Sequence, residues 1–233
     1  AEEKAAEEVK PSHVEMVLVL DESGSMSNLT NDTIGGFNSM IEKEKKLDVD
    51  AHVTTVLFND QYKMLYNRRE LKDVSKMTDK DYTPGGMTAL LDAVGRTIHK
   101  MDMVAGIHRK DKGNKVLFVI ITDGEENDSK EYTYADVKKL IKDRQENAGW
   151  EFIFLGANID AAAAAENLGI DRDRAVKYKN TGSGVRANFK AVAELSDSLA
   201  KSGRVSDEWK ETVEKDEDDA ADKQSAAVTL HRR

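Results

Sequence analysis

Three short stretches constrain this chain most: VEMVLVL at 14–20, KVLFVII at 115–121 and WEFIFL at 150–155. Each is a nearly continuous apolar run rich in Val, Ile, Leu and Phe, with no inside–outside alternation. A strand of that kind needs cover on both faces, as in a parallel sheet held between helical layers. Helical periodicity fills the intervals between these runs. Ile34, Phe37, Met40 and Ile41 share a face over 30–46, and Leu90, Leu91, Val94, Ile98 and Met101 share one over 88–101. Residues 132–146 carry Val137, Leu140 and Ile141, residues 160–168 run between a capping Asp160 and a terminating Gly169, and Phe189, Val192, Leu195 and Leu199 mark a last helix over 188–200. Further strands are expected at 49–58, at 62–66 as a hairpin partner across Asn59-Asp60, and at 175–178. Alternating strands and helices predict an α/β fold in three layers, with a mostly parallel six-stranded sheet and one antiparallel edge strand.

The 233 residues suffice for a sizeable core. The rhythm delimits one domain over 13–203. Before it stands a charged arm, 1–12, closed by Pro11; after it stands an acidic segment, 204–233, which contains Trp209 and is expected to be flexible. A net charge of −9 leaves no basic excess to neutralise phosphates, so general nucleic-acid binding is not expected. The absence of Cys excludes disulfides, thiolate metal sites, Cys nucleophiles and iron–sulfur clusters. No apolar run reaches the length of a membrane span, and the polar N-terminus is no signal peptide. A cytoplasmic location is therefore expected, or an extracellular one if a segment precedes Ala1.

Three polar clusters stand at element ends. Asp21, Ser23 and Ser25 follow the first strand as DESGS, Thr88 follows TPGGM and opens a helix, and Asp123 follows VLFVIIT. Ligands of open α/β sheets bind beyond the carboxyl ends of strands where the strand order reverses. If the strands ending in Asp21 and Asp123 are neighbours there, two carboxylates and three hydroxyls meet. Such a set of hard oxygens suits Mg²⁺, with Mn²⁺ or Ca²⁺ as alternatives, rather than zinc or copper. Without a cation the two carboxylates would repel.

DESGS, TPGGMTAL and ITDG resemble the von Willebrand factor A (VWA) domain with its metal-ion-dependent adhesion site, and the order of elements is similar as well. The resemblance spans about residues 14–199 and implies a Rossmann-like fold. It also implies Mg²⁺ surrounded by Asp21, Ser23, Ser25, Thr88 and Asp123, the hydroxyls binding directly and the acids through water. A protein partner presenting an exposed Asp or Glu would complete the shell. A non-enzymatic adhesion or scaffold module is the expected function.

Competing readings are weaker. Asp21 and the serines suit a strand-ending turn, Thr88 an N-cap, and Asp92 a favourable charge near a helix N-terminus. DGEEND lacks the Gly and the closing Glu of an EF-hand loop, and reads as a solvated acidic loop. The five His are scattered and form no H-E-x-x-H pair. A haloacid-dehalogenase-like phosphohydrolase would need an acid two residues after Asp21, where Ser23 stands. A VWA scaffold without metal is the third alternative.

Overall fold

The computed structural model describes residues 13–104 and 114–215. The expected arm, 1–12, and the part of the expected tail beyond 215 lie outside the described residues. Six strands form one sheet in the order β3-β2-β1-β4-β5-β6. They are β1 (His13–Asp21), β2 (Ala51–Phe58), β3 (Tyr62–Glu70), β4 (Asn114–Thr122), β5 (Glu151–Gly156) and β6 (Ala175–Lys177). All pairings are parallel except β2–β3, the edge hairpin.

Helices α1 (Thr30–Lys46) and α5 (Gly182–Ser202) cover one face. Helices α2 (Leu90–Asp102), α3 (Tyr134–Asp143) and α4 (Ala161–Leu168) cover the other. The missing alternation of β1 now has its cause. Val14, Met16, Leu18 and Leu20 enter the α1/α5 core, while Val17 and Val19 enter the opposite one. The α1–α5 contact is close, because a Cβ on Gly36 would sit 2.5 Å from the Phe189 ring. Phe189 also meets Phe37 edge-on at 6.2 Å, a geometry worth about 0.5–1.5 kcal/mol beyond burial.

Element ends differ from expectation in instructive ways. A 3-10 turn over Gly24–Leu29 leads into α1, whose N-cap is Leu29 without a side-chain bond. α3 starts at a Thr133–Asp136 capping box and passes into a π turn over Arg144–Ala148, closed by Gly149 at φ 69°. α4 has the expected ends, Asp160 accepting from Ala163 N and Gly169 left-handed. α5 starts earlier than expected, where Thr181 accepts from Gly184 N.

Of the segment expected to be flexible from 204, residues 204–215 are described, and part of them packs on the domain. Residues 209–215 are helical, and Trp209 and Val213, each 1% exposed, join the α1/α5 core. Two large apolar side chains, each worth about 1.5–3 kcal/mol on burial, outweigh the polarity of their neighbours.

Candidate functional site

The chain leaves β1 for β2 on one side, while β4 pairs with β1 on the other, so the strand order reverses between β1 and β4. Their carboxyl ends open the crevice that such a reversal creates. All five sequence-predicted residues gather there. Asp21 ends β1 and is 1% exposed; Asp123 follows β4 and is 2% exposed. Ser23 is buried, Ser25 is exposed, and Thr88 is buried in the loop before α2.

Hydrogen bonds tie Asp21, Ser23 and Ser25 to Asp123. Ser23 N donates to Asp21 Oδ1 at 2.7 Å, the Ser23 and Ser25 hydroxyls lie 3.0 Å apart, and Ser25 Oγ donates to Asp123 Oδ1 at 2.5 Å. Thr88 arrives from another direction, its Oγ1 3.9 Å from where a Gly124 Cβ would stand. The TPGG loop is pinned to DESGS by Gly85 N donating to Glu22 O at 2.9 Å and Gly24 N donating to Gly86 O at 3.2 Å. Gly86 has φ 75°, and any Cβ on it would collide with the Asp60 carboxylate, so the position requires glycine.

Thr88 is not the N-cap of α2; that position is Ala89, without a side-chain bond. The acidic loop after β4 serves the helix end instead. Glu126 Oε2 accepts from Leu91 N at 2.9 Å and Ser129 Oγ accepts from Asp92 N at 3.1 Å. Asp92 in turn accepts from the backbone N–H groups of Lys130, Glu131 and Tyr132, each at 2.9 Å. Its burial favours the neutral form, but these three bonds outweigh it and hold the carboxyl below its ordinary range. Asn127 and Thr88 exchange two bonds, Thr88 N to Asn127 Oδ1 at 2.9 Å and Asn127 N to Thr88 O at 3.0 Å. The DGEEND run is thus a structural brace, not merely a solvated loop, and it leaves the Thr88 hydroxyl free of capping duty.

Several supporting residues escaped the sequence reading. Thr122 Oγ1 donates to Asp21 Oδ2 at 2.6 Å, Tyr82 Oη donates to Asp21 O at 2.6 Å, and Asn180 Nδ2 donates to Asp123 Oδ2 at 3.2 Å. Thr122 had a signal, its place inside ITDG; Tyr82 and Asn180 had none. The Asp21 carboxyl is pushed above its ordinary range, first by burial and further by the charge of Asp123, against the pull of Ser23 and Thr122. Below them the Tyr178 hydroxyl is buried without a hydrogen-bond partner, and burial and the same two acids push it well above the phenol range. A negative site with this oxygen set is suited to a hard divalent cation.

At the far end of β1, a second group of metal-capable side chains comes together: His13, Glu15 and His52. His13 and His52 are 39 positions apart in the chain and meet only through the β1–β2 pairing.

Residues 13–176 match the family model described as vWA-TerF-like, the vWA found in the TerF C terminus. Solved structures share the fold. The von Willebrand factor type A protein from Catenulispora acidiphila is 15% identical at TM-score 0.54, over 79% of this chain and 43% of its own. The vWF domain of the type V pili tip protein Mfa5 from Porphyromonas gingivalis is 12% identical at TM-score 0.58, over 85% of this chain and 100% of its own. The pilus adhesin SpaC from Lactobacillus rhamnosus GG is 14% identical at TM-score 0.62, over 83% of this chain and 31% of its own. This chain thus spans less than half of the Catenulispora protein and about a third of SpaC. No curated protein matches the sequence. The expected cytoplasmic location gains nothing from these neighbours, two of which are pilus proteins. Among the described residues, no helix is long and apolar enough to cross a membrane.

Proposed function

Since this chain belongs to the vWA-TerF-like family, we propose that it is a protein-interaction module that takes a partner's carboxylate at the carboxyl end of its sheet, with a divalent cation, Mg²⁺ first, between them. The observation that carries this reading is the convergence of five oxygen-bearing side chains from three loops, Asp21, Ser23, Ser25, Thr88 and Asp123, on one crevice. These five would hold the ion. Bound there, the ion would supply the positive charge that an external acid needs.

The chain's own residues define the rest. Asp21 and Asp123 lie at the floor and are oriented by Thr122 and Asn180. Ser25 stands at the exposed rim. Beside Thr88, Met87 is 51% exposed and offers an apolar contact to whatever surrounds the incoming acid. The phosphohydrolase reading is not favoured, because Ser23 occupies the position needing an acid, and a hydroxyl does not act as a general acid near neutrality.

Affinity capture from the native host, run side by side with Mg²⁺ and with chelator, tests the reading. Partner recovery is expected with Mg²⁺, and is expected to vanish with chelator or with Asp21→Ala. Recovery indifferent to both would replace it with a metal-independent scaffold, and phosphatase turnover requiring Asp21 would replace it with an enzyme.

A further inference from the structure

We propose that His13, Glu15 and His52 form a second cation site, for a late first-row divalent transition metal such as Zn²⁺, and that Arg68 fills one of its vertices in the metal-free protein. The site stands at the amino end of β1. Glu15 pairs with His52 in the β1–β2 register, and His13, two residues earlier, shares their face.

Three donor atoms form a compact triangle. His13 Nε2 and His52 Nδ1 are 2.9 Å apart, and each is 3.3 Å from Glu15 Oε1. With metal–donor bonds of about 2.1 Å, donors on one face of a tetrahedron stand about 3.4 Å apart, and on one face of an octahedron about 3.0 Å apart. The triangle therefore needs almost no rearrangement to become a coordination face. Two imidazole nitrogens and one carboxylate are the donors of zinc and its neighbours, unlike the oxygen set at the other end of the strand.

The hydrogen-bond inventory also calls for a cation. His13 Nδ1 lies 3.0 Å from Asp50 Oδ1, an acceptor only, so this nitrogen carries a proton and Nε2 is the ring's remaining site, facing the triangle, for a second proton or a metal ion. Carboxylates orient metal-binding histidines in the same manner. His52 Nδ1 lies 3.2 Å from Arg68 Nη2, a donor only, so it presents a lone pair. His13 Nε2 and the His52 lone pair, 2.9 Å apart beside a carboxylate, must share a positive charge, either a proton or a metal ion in its place.

Arg68 is the built-in competitor. Its Nη2 is 2.5 Å from Glu15 Oε1 and its Nε is 3.0 Å from Oε2. It sits on the edge strand with φ 47°, where the β2–β3 register shifts, and its side chain is 32% exposed. It can swing out without disturbing a core. A surface cavity lined by His13, Asp50, His52, Glu70 and Lys72 gives an ion its way in. A bound metal would clasp the start of β1 to β2.

Zn²⁺ titration by calorimetry and Co²⁺ titration by absorption test the site, with imidazole ¹⁵N NMR of the unaltered protein as a readout that needs no substitution. One equivalent of Zn²⁺ is expected to bind, shifting the His13 and His52 resonances. His52→Ala should weaken it about tenfold or more, Asp21→Ala should leave it unchanged, and Arg68→Met should tighten it. Zn²⁺ should also raise the melting temperature of Arg68→Met more than that of the wild type. No Zn²⁺-dependent shift of the two imidazoles, or binding that survives His52→Ala but not Asp21→Ala, overturns the proposal.

Discussion

Two buried carboxylates stand on β1, Glu15 at 2% exposure and Asp21 at 1%, and their surroundings shift their pKa values in opposite directions. Burial pushes both toward the neutral form. At Glu15 the hydrogen bonds from His13 and Arg68 overcome it and hold the carboxyl down at about 2. At Asp21 the partners are neutral hydroxyls and a backbone N–H, Asp123 adds repulsion, and the carboxyl stays raised. Six residues at about 3.3 Å each put them roughly 20 Å apart, too far to influence each other strongly in salt. One end of the strand thus carries its own cation in Arg68, while the other is short of positive charge. Burial alone does not decide what a carboxylate does; the sign of its neighbours does.

Breaking the satisfied end should have the largest effect. Arg68→Met leaves the buried Glu15 charge to His13 and is expected to cost about 3–5 kcal/mol in urea unfolding at neutral pH. A loss below 1 kcal/mol would mean that His13 alone suffices for Glu15.

A third carboxylate provides a neutral reference. Glu44, 0% exposed between α1 and α5, is raised to about 7, by burial first, with nearby Ser196 pulling the other way. Its folded value lies above its unfolded value of 4.5, so its contribution is fully present below pH 4.5 and is lost as pH rises through 7. Glu44→Gln should therefore stabilise the protein by about 3 kcal/mol at pH 8 and by almost nothing at pH 4. No gain at pH 8 would show that the buried charge is already compensated by a partner.

At the deficient end, Thr122→Val removes the hydroxyl that orients Asp21 and should weaken Mg²⁺ binding by about 10–100-fold in calorimetry. Unaltered affinity would remove Asp21 from the ion's surroundings. The smallest effect is expected from Asp21→Asn, which relieves the repulsion from Asp123. In chelator the variant should melt slightly above the wild type, and the order should reverse when Mg²⁺ is added.

Legibility in the sequence followed how local each signal was. The five oxygen-bearing residues could be read because each closes or opens an element with a pattern of its own, as DESGS, TPGGM and ITDG do. The sheet could be read because VEMVLVL and KVLFVII have no polar face. Asn180 and Tyr82 carry no such pattern; only the folded chain brings them to Asp123 and Asp21. The His13–His52 pair was hidden for the same reason, since parallel register, not spacing along the chain, places His52 beside Glu15. Trp209 was obscured by the charges around it, because composition averages over a segment whereas docking needs only two side chains.

The placement of that residue has a spectroscopic consequence. The chain has two tryptophans. Trp150 stacks near Phe118 and Phe152 in the α2–α4 layer, and Trp209 lies in the α1/α5 layer. Each side of the sheet therefore carries its own intrinsic fluorophore. With Trp150→Phe the remaining emission watches the 209–215 segment leave the domain, and with Trp209→Phe it watches the opposite layer melt. The two halves of this fold can be followed separately without adding a label.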